Sequence, residues 1–326
     1  MRAIHATEAG GPEVLTVVDL PEQPPGPGEV RVEVAAAGVN FIDTYRRSGV
    51  YPVDYPHVVG SEGAGRVVEV GDGVTEFSVG DHVAWAAVPG SYAERVNVPV
   101  EDAIPVPAEI DLHTAAALPL QGMTAHYLSA STFPISPGDV ALVHAGAGGV
   151  GLLLTQLVVR RGGRVISTVG TAEKEILSRE AGAEQVIRYT ELDDLTAQLP
   201  EIVREHAGGR GVDVVYDGVG RATFDASLAS LRPRGMLVLF GGSSGQVPPF
   251  DLQRLNSAGS VFVTRPTLVH YTADRAELLW RAADLFTAVA EGLSVRIGQE
   301  FPLAEAAAAH TALEGRQTTG KVLLVP

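Results

Sequence analysis

The sequence predicts a two-domain α/β protein, with a β-rich first part and a doubly wound parallel sheet after it. Three observations lead there. The 326 residues are more than one hydrophobic core usually organises. Residues 140–151 read V-A-L-V-H-A-G-A-G-G-V-G, an apolar strand that runs into glycines and on into an apolar helix. Before this stretch short alternating segments dominate, and after it strand and helix patterns take turns.

In the first part, strands are expected at 14–18, 29–37, 64–70, 82–87 and 92–98, set apart by P-P-G-P-G-E at 24–29 and V-G-D at 79–81. That rhythm suits a barrel or sandwich of strands. One helix interrupts it from Asn40, in N-F-I-D-T-Y-R-R-S-G, where the amide is suited to cap the helix. From Asp111 to about Ala130 the pattern is helical, with Asp111 as its cap.

In the second part, strands are expected at 140–145, 164–169, 185–188, 212–216, 236–240 and 261–264. Helices fall near 149–161, 172–182, 192–207 and 221–231. Such alternation gives a parallel sheet with crossovers on both faces and a ligand crevice at the carboxyl ends of its strands. Five of those ends read G-A-G-G-V-G, V-G-T, R-Y-T, Y-D-G-V-G and F-G-G-S-S-G. Glycine recurs where main chain must run beside a ligand. A long amphipathic helix at 274–292 and an alanine-rich helix follow. A final strand at 322–325 has no partner of its own and is expected to return to the first β-rich part. The domains are therefore expected at 1–122, completed by 266–326, and at 123–265.

Composition narrows the function. A net charge of -15 argues for solubility and against nucleic acid or an anionic membrane as partner. No apolar run is long enough to span a bilayer, and the N-terminus lacks the apolar core of a secretion signal, so the expected compartment is the cytoplasm. The chain has no cysteine, which rules out disulfides, a thiol nucleophile and zinc–thiolate sites.

Gly146, Gly148 and Gly151 have the G-x-G-x-x-G spacing at a strand-to-helix junction. The first glycine permits the tight turn, the second lets main chain approach a pyrophosphate, and the third lets helix and strand pack closely. The N-terminus of the following helix adds unpaired N–H groups and the positive end of its dipole. An NAD site places Asp or Glu at the end of the second strand, about 20 residues on. Here that stretch reads S-T-V-G-T (167–171), with no acid. NADP is therefore expected, with Lys174 and the Tyr189 hydroxyl on its 2′-phosphate.

These motifs together resemble the medium-chain dehydrogenase/reductase superfamily, and within it the zinc-free NADPH:quinone oxidoreductases, the zeta-crystallin-like branch. The resemblance rests on G-V-N-F-I-D-T-Y-R-R-S-G-V-Y-P (38–52), G-S-E-G-A-G-R-V (60–67), H-A-G-A-G-G-V-G (144–151), S-T-V-G-T-A-E-K (167–174), V-V-Y-D-G-V-G (214–220), F-G-G-S-S-G (240–245) and F-V-T-R-P-T-L (262–268). It implies a GroES-like catalytic domain joined to a Rossmann domain. It implies cofactor contacts at Asn40, Asp43, Tyr45, Thr124, Gly148, Gly149, Val150, Gly170, Thr171, Lys174, Tyr189, Gly218, Val219, Phe240, Gly241, Gly242, Ser243 and Arg316. Gln121 departs from the pattern, since some relatives carry a basic side chain there. Relatives join their sheets edge to edge, which implies a homodimer through Val261 to Thr264.

Zinc-dependent relatives use cysteine and a G-H-E histidine as ligands, whereas this chain has Gly60-Ser61-Glu62. Ser61 stands in the histidine position, no metal ligand set is expected, and Glu62 reads as a buried structural carboxylate. Without zinc to polarise a carbonyl, a quinone is the better acceptor, because it is already electrophilic. The expected reaction is hydride transfer from nicotinamide C4 of NADPH to a quinone. Asn40, Tyr45 and Tyr51 are the candidate catalytic residues, able to hydrogen-bond a quinone oxygen, with Phe41 lining an aromatic slot and Tyr45, Tyr51 or water delivering the proton. Two alternatives stand beside this: an enoyl or alkenal double-bond reductase of the same superfamily, and an NADPH-binding protein with little turnover.

Plainer readings apply elsewhere. His144 closes a strand in the core and is expected to be satisfied by hydrogen bonds. Ser243 and Ser244 lack a His–Asp arrangement, which argues against a hydrolase. Arg46-Arg47 reads as a solvated helix face, and Asp217 as a cap for the helix after it.

Overall fold

Six parallel strands form one sheet in the order Gln185–Arg188, Arg164–Val169, Val140–Val143, Val212–Asp217, Leu231–Leu239, Phe262–Thr264. The chain starts at the centre, fills one side, returns and fills the other. The order reverses between Val140–Val143 and Val212–Asp217, which is where a doubly wound sheet opens its crevice. Val140–Val143 and Val212–Asp217 are buried along their whole length, as strands covered by helices on both faces must be. The computed structural model describes residues 1–326 and separates into two units: Met1–Met123 with Thr272–Pro326, and Thr124–Tyr271.

Most of the parallel strands match the expected periods, and the departures have local causes. The first stops at Val143 rather than 145, because Ala145 turns into the left-handed region at φ 54°. Leu231–Leu239 starts five residues before the expected 236 and carries Pro233 and the left-handed Arg234 within it. A proline so placed reads as a turn, but it lies near the start of a strand, where its missing N–H costs little. The short helix Gln253–Ser257 has no apolar stripe that would have announced it.

The other unit is built on a seven-stranded sheet. Its order is Ile297–Pro302, Lys321–Val325, Glu29–Val39, Glu62–Val70, His82–Trp85, Ile104–Pro105, and Arg95–Pro99 also pairs with Glu29–Val39. The two end strands do not meet, so the expected barrel is not closed. Val30, Val32, Trp85, Tyr92 and Leu324 lie in its core. The strand Lys321–Val325 returns to this sheet as expected, with Val322 opposite Val39 and Leu324 opposite Ala37. Four strands were not anticipated: Arg2–Ala6, His57–Val58, Ile104–Pro105 and Ile297–Pro302. The first two join Leu15–Asp19 in a small sheet. The long helix is Arg275–Ala290, capped by Asp274. No helix is long and apolar enough to cross a membrane.

Candidate active site

In the unit Thr124–Tyr271, the glycine-rich segments lie at the carboxyl ends of the parallel strands. The three motif glycines do different work. A Cβ on Gly151 would lie 2.3 Å from the Ala145 carbonyl oxygen and 3.0 Å from Gly146 Cα, so this glycine is required for strand and helix to touch. A Cβ on Gly146 would lie 2.7 Å from the hydroxyls of both Ser167 and Ser178. Ala145, not Gly146, supplies the left-handed turn. Gly146 and Gly151 are thus packing residues. Gly148, Gly149 and Val150 are partly exposed at the start of the helix Gly149–Arg160. A Cβ on Gly148 would meet only the Ala145 oxygen, at 3.2 Å, so the space beside it is open for a phosphate.

Gly170, Thr171, Lys174 and Tyr189 come together at the end of Arg164–Val169. Thr171 caps the helix Ala172–Glu180, its Oγ1 accepting from the Lys174 N–H at 3.3 Å. The Tyr189 hydroxyl lies 2.8 Å from where a Cβ on Gly170 would stand, and Thr190 Oγ1 donates to the Gly170 carbonyl at 2.9 Å. The acids flanking Lys174 have partners of their own. Glu175 pairs with Arg179 and Arg188, and Glu173 is held down by hydrogen bonds at the helix start. Lys174 and Tyr189 thus follow a strand that ends without the acid an NAD site carries.

Asp217 organises the next loop from beneath. Fully buried, it accepts from the N–H groups of Val219 (2.8 Å) and Gly220 (2.9 Å) and from the hydroxyls of Thr223 and Ser227. The expected cap of the next helix is Thr223 instead, so Asp217 holds the turn. Ser227 gives its proton to Asp217 and so accepts from His144 Nε2 (2.9 Å), which leaves His144 Nδ1 to accept from Thr168 (2.8 Å). Burial holds the His144 pKa down, against the Asp217 charge, and the ring is satisfied as expected. The Gly218–Gly220 turn packs on the 240–245 loop. A Cβ on Gly241 would lie 2.5 Å from the Gly218 oxygen, and Ser243 N–H donates to that same oxygen. Gly218, Val219, Phe240, Gly241, Gly242 and Ser243 are all partly exposed there, whereas Thr124 is buried.

Asn40, Asp43, Tyr45, Tyr51 and Arg316 belong to the other unit. Asn40 caps the helix Phe41–Arg47, and its N–H donates to Asp43 Oδ2 at 3.0 Å. Its side chain is committed: Nδ2 donates to Glu62 Oε2 (2.8 Å) and the Gly38 oxygen, while Oδ1 accepts from Lys321 Nζ at 2.8 Å. Lys321 also bonds Glu62, and both are buried, which bears out Glu62 as a structural carboxylate. Leu120 N–H donates to its second oxygen at 2.7 Å.

Asp43, expected among cofactor contacts, is 1% exposed, with both oxygens taken. Ser61 donates to Oδ1 at 2.9 Å and Tyr92 to Oδ2 at 3.1 Å. Burial pushes its pKa up to about 6, against Ser61, the Asn40 N–H and the charges of Arg46 and Lys321. Tyr92 also bonds His310 Nε2 at 3.1 Å, and Arg47 donates to His310 Nδ1 at 3.1 Å. An arginine only donates, so Nδ1 carries the lone pair and Nε2 the proton. Burial, with the Arg47 charge beside it, lowers the His310 pKa to about 3.

Phe41, Tyr45 and Tyr51 form an aromatic cluster, with centroid separations of 6.2 Å for Phe41–Tyr45 and 5.5 Å for Tyr45–Tyr51. Tyr51 is 37% exposed. Arg316 is exposed, in a left-handed turn after the helix Ala306–Glu314. The expected solvated face at Arg46-Arg47 is a miss. Arg47 is buried against Glu314 and the Gly10 carbonyl, and Arg46 donates to Ser61 Oγ at 2.6 Å. Tyr92, Ser61, His310 and Lys321 were missed as members of this cluster. Their pairings span far-separated sequence positions and leave no periodic trace.

A profile described as "Alcohol dehydrogenase GroES-like domain" matches residues 26–108, and one described as "Zinc-binding dehydrogenase" matches 181–324. A mycobacterial protein solved in complex with NADPH superposes with TM-score 0.97 at 52% identity, over 100% of both chains. The Escherichia coli quinone oxidoreductase, also solved with NADPH, superposes with TM-score 0.96 at 43% identity, again over 100% of both. A 2-haloacrylate reductase from Burkholderia sp is 43% identical over 97% of this chain and 96% of its own length.

Proposed function

We propose a function from one premise: the chain belongs to the quinone oxidoreductase family of the medium-chain dehydrogenase/reductase superfamily. It is an oxidoreductase that reduces quinones with NADPH. The observation that carries this reading is the full-length likeness to two proteins solved with NADPH, in a chain whose Arg164–Val169 strand ends without an acid.

When bound, NADPH supplies a hydride from nicotinamide C4 to the acceptor. The unit around the parallel sheet is the NADPH-binding domain, and the other is the catalytic domain. Gly148, Gly149 and Val150 offer main-chain N–H groups and the helix dipole to the pyrophosphate. Lys174 and Tyr189 bind the 2′-phosphate beside Gly170 and Thr171. The Gly218–Val219 turn and the loop from Phe240 to Ser243 run alongside the dinucleotide, with Thr124, Tyr45 and Arg316 as further contacts. Asn40 reaches substrate or cofactor only from a position fixed by Lys321, Glu62 and Asp43. Asp43 acts as the positioning residue behind Asn40.

Tyr45 and Tyr51 offer hydroxyls to the quinone oxygen, Phe41 offers a flat apolar surface, and a tyrosine or water returns the proton. No metal takes part in this reading, which rests on the chemistry of the donor set. The chain has no cysteine, Ser61 bonds Asp43 and Arg46, and Lys321 neutralises Glu62. The protein works in the cytoplasm as a homodimer joined along the sheet edge at Phe262–Thr264, where Phe262 is 57% exposed.

The likeness to a 2-haloacrylate reductase favours a second reading, reduction of an activated carbon–carbon double bond. One experiment separates the two: NADPH oxidation against 1,4-benzoquinone, 9,10-phenanthrenequinone, an alkenal and crotonyl-CoA. Faster turnover of the quinones is expected. Failure to reduce either quinone overturns the first reading, and tight NADPH binding with no turnover on any acceptor leaves a binding role. Monomeric elution at micromolar concentration overturns the dimer.

A further inference from the structure

Adjacent arginines on the helix Phe41–Arg47 have opposite fates. Arg47 is 2% exposed and is used up by Glu314, the Gly10 carbonyl and His310. Arg46 is half-buried and pairs with no carboxylate. Its guanidinium has one hydrogen bond, from Nη1 to Ser61 Oγ at 2.6 Å, which leaves its other N–H groups without a partner in the chain. The anchor beneath it is rigid. Ser61 is 2% exposed and passes its own proton to Asp43 Oδ1, and Asp43 holds the Asn40 N–H on its other oxygen. A long cationic side chain on a surface normally keeps its rotamer freedom. Here a buried serine–carboxylate pair fixes one end of the guanidinium fork and leaves the rest open, beside Tyr45 in sequence and linked to Asn40 through one carboxylate.

We propose that Arg46 is a catalytic residue that takes the negative charge building on the acceptor oxygen during reduction. The inference rests on the quinone reductase reading above. The acceptor gains two electrons and a proton from NADPH, which leaves as NADP+, and becomes a hydroquinone monoanion. A proton from water then completes the hydroquinone. A preorganised donor aimed at such an oxygen contributes about 100-fold to 1,000-fold in kcat. Ser61 stands where zinc-dependent relatives are expected to carry a metal-ligating histidine, so the cation it holds supplies charge at an equivalent place in the sequence. An arginine supplies it without any need for a proton to move first.

The test compares wild type with Arg46→Met, Arg46→Lys and Ser61→Ala, each checked for an unchanged melting temperature. Arg46→Met is expected to lower kcat on 1,4-benzoquinone about 100-fold and to leave the KM for NADPH unchanged. The loss grows with 2-methyl-1,4-naphthoquinone, whose less electrophilic ring needs more help. Arg46→Lys restores part of the rate, and Ser61→Ala loses less than Arg46→Met because the charge remains. A second readout needs no turnover. 4-Nitrophenol, an analogue of the monoanion, is titrated by absorbance in the presence of each protein, and wild type lowers its ionisation pH while Arg46→Met does not. An unchanged kcat in Arg46→Met, or an equal loss on every acceptor with an unaltered nitrophenol titration, overturns the proposal. If wild type reduces no quinone, the reading beneath it fails separately. The nitrophenol titration then decides for Arg46 alone, a shift supporting it and no shift overturning it.

Discussion

The Tyr92 hydroxyl lies 3.1 Å from Asp43 Oδ2 and 3.1 Å from His310 Nε2, so one phenol joins an acid and a base that pH drives in opposite directions. The Asp43 pKa is raised to about 6, so the folded protein keeps that proton to higher pH than the unfolded chain does. Its contribution to stability therefore falls as pH rises from about 4 to about 6. The His310 pKa is lowered to about 3, so the unfolded chain binds the extra proton below about pH 6.5. That contribution rises with pH over the same window. The two offset one another in wild type. Urea unfolding between about pH 4 and pH 6 checks this. Relative to wild type, Asp43→Asn loses stability on acidification by up to about 1.4 kcal/mol more per pH unit, and His310→Gln loses it by up to as much less.

Lys321→Met leaves the Glu62 charge buried, with only Asn40 and the Leu120 N–H to satisfy it. Breaking a buried pair this way costs about 3–5 kcal/mol. The double variant Glu62→Gln/Lys321→Met recovers much of that loss, because no uncompensated charge remains. Unfolding free energies of the two single variants and the double, taken as a cycle, measure the coupling.

Two glycines of one motif separate folding from binding. Gly151→Ala drives a Cβ into the Ala145 oxygen and Gly146 Cα, both main-chain atoms that cannot yield, and so lowers the melting temperature sharply. Gly148→Ala meets one atom at 3.2 Å and leaves the melting temperature nearly unchanged, but fills the phosphate side and weakens NADPH. Thermal unfolding and NADPH fluorescence titration on both variants check the contrast.

The proposed 2′-phosphate contacts of Lys174 and Tyr189 make a prediction about cofactor choice. Lys174→Gln removes a charge-assisted bond worth about 1.5–3 kcal/mol, equivalent to about 10-fold or more in the KM for NADPH, and leaves the KM for NADH unchanged. Tyr189→Phe gives a smaller loss of the same kind. Gly170→Ala displaces the Tyr189 hydroxyl, 2.8 Å from the new Cβ, and matches Tyr189→Phe. Steady-state kinetics with both dinucleotides measure all three.

The parallel sheet was legible because its strands are continuous apolar runs buried on both faces, and its ligand edge because glycine marks the strand ends. Arg164–Val169 and Gln185–Arg188 fall on the expected residues. Arg2–Ala6 was missed because R-A-I-H-A mixes a basic residue and a histidine into a strand too short for a period to show. Local motifs singled out Asn40, Tyr45 and Tyr51 as candidates, but not the pairing of Asp43, Glu62 and Lys321 that fixes Asn40. Lys321 looks in sequence like the basic end of a tail, and its role depends on strand pairing across most of the chain. The pair Arg46-Arg47 defeated sequence reasoning because burial, which separates their roles, is a tertiary property.

The strand Lys321–Val325 lies between Ile297–Pro302 and Glu29–Val39. During translation the parallel sheet of the other unit emerges whole and can be completed early, since domains fold as units as they are made. The seven-stranded sheet that began with Glu29–Val39 must wait, the seam beside that strand open and Glu62 unneutralised, until Lys321 has been synthesised. The residues that set Asn40 are thus made only after the whole parallel sheet, and a nascent chain stalled short of them would have a formed parallel sheet but an open seam beside Glu29–Val39.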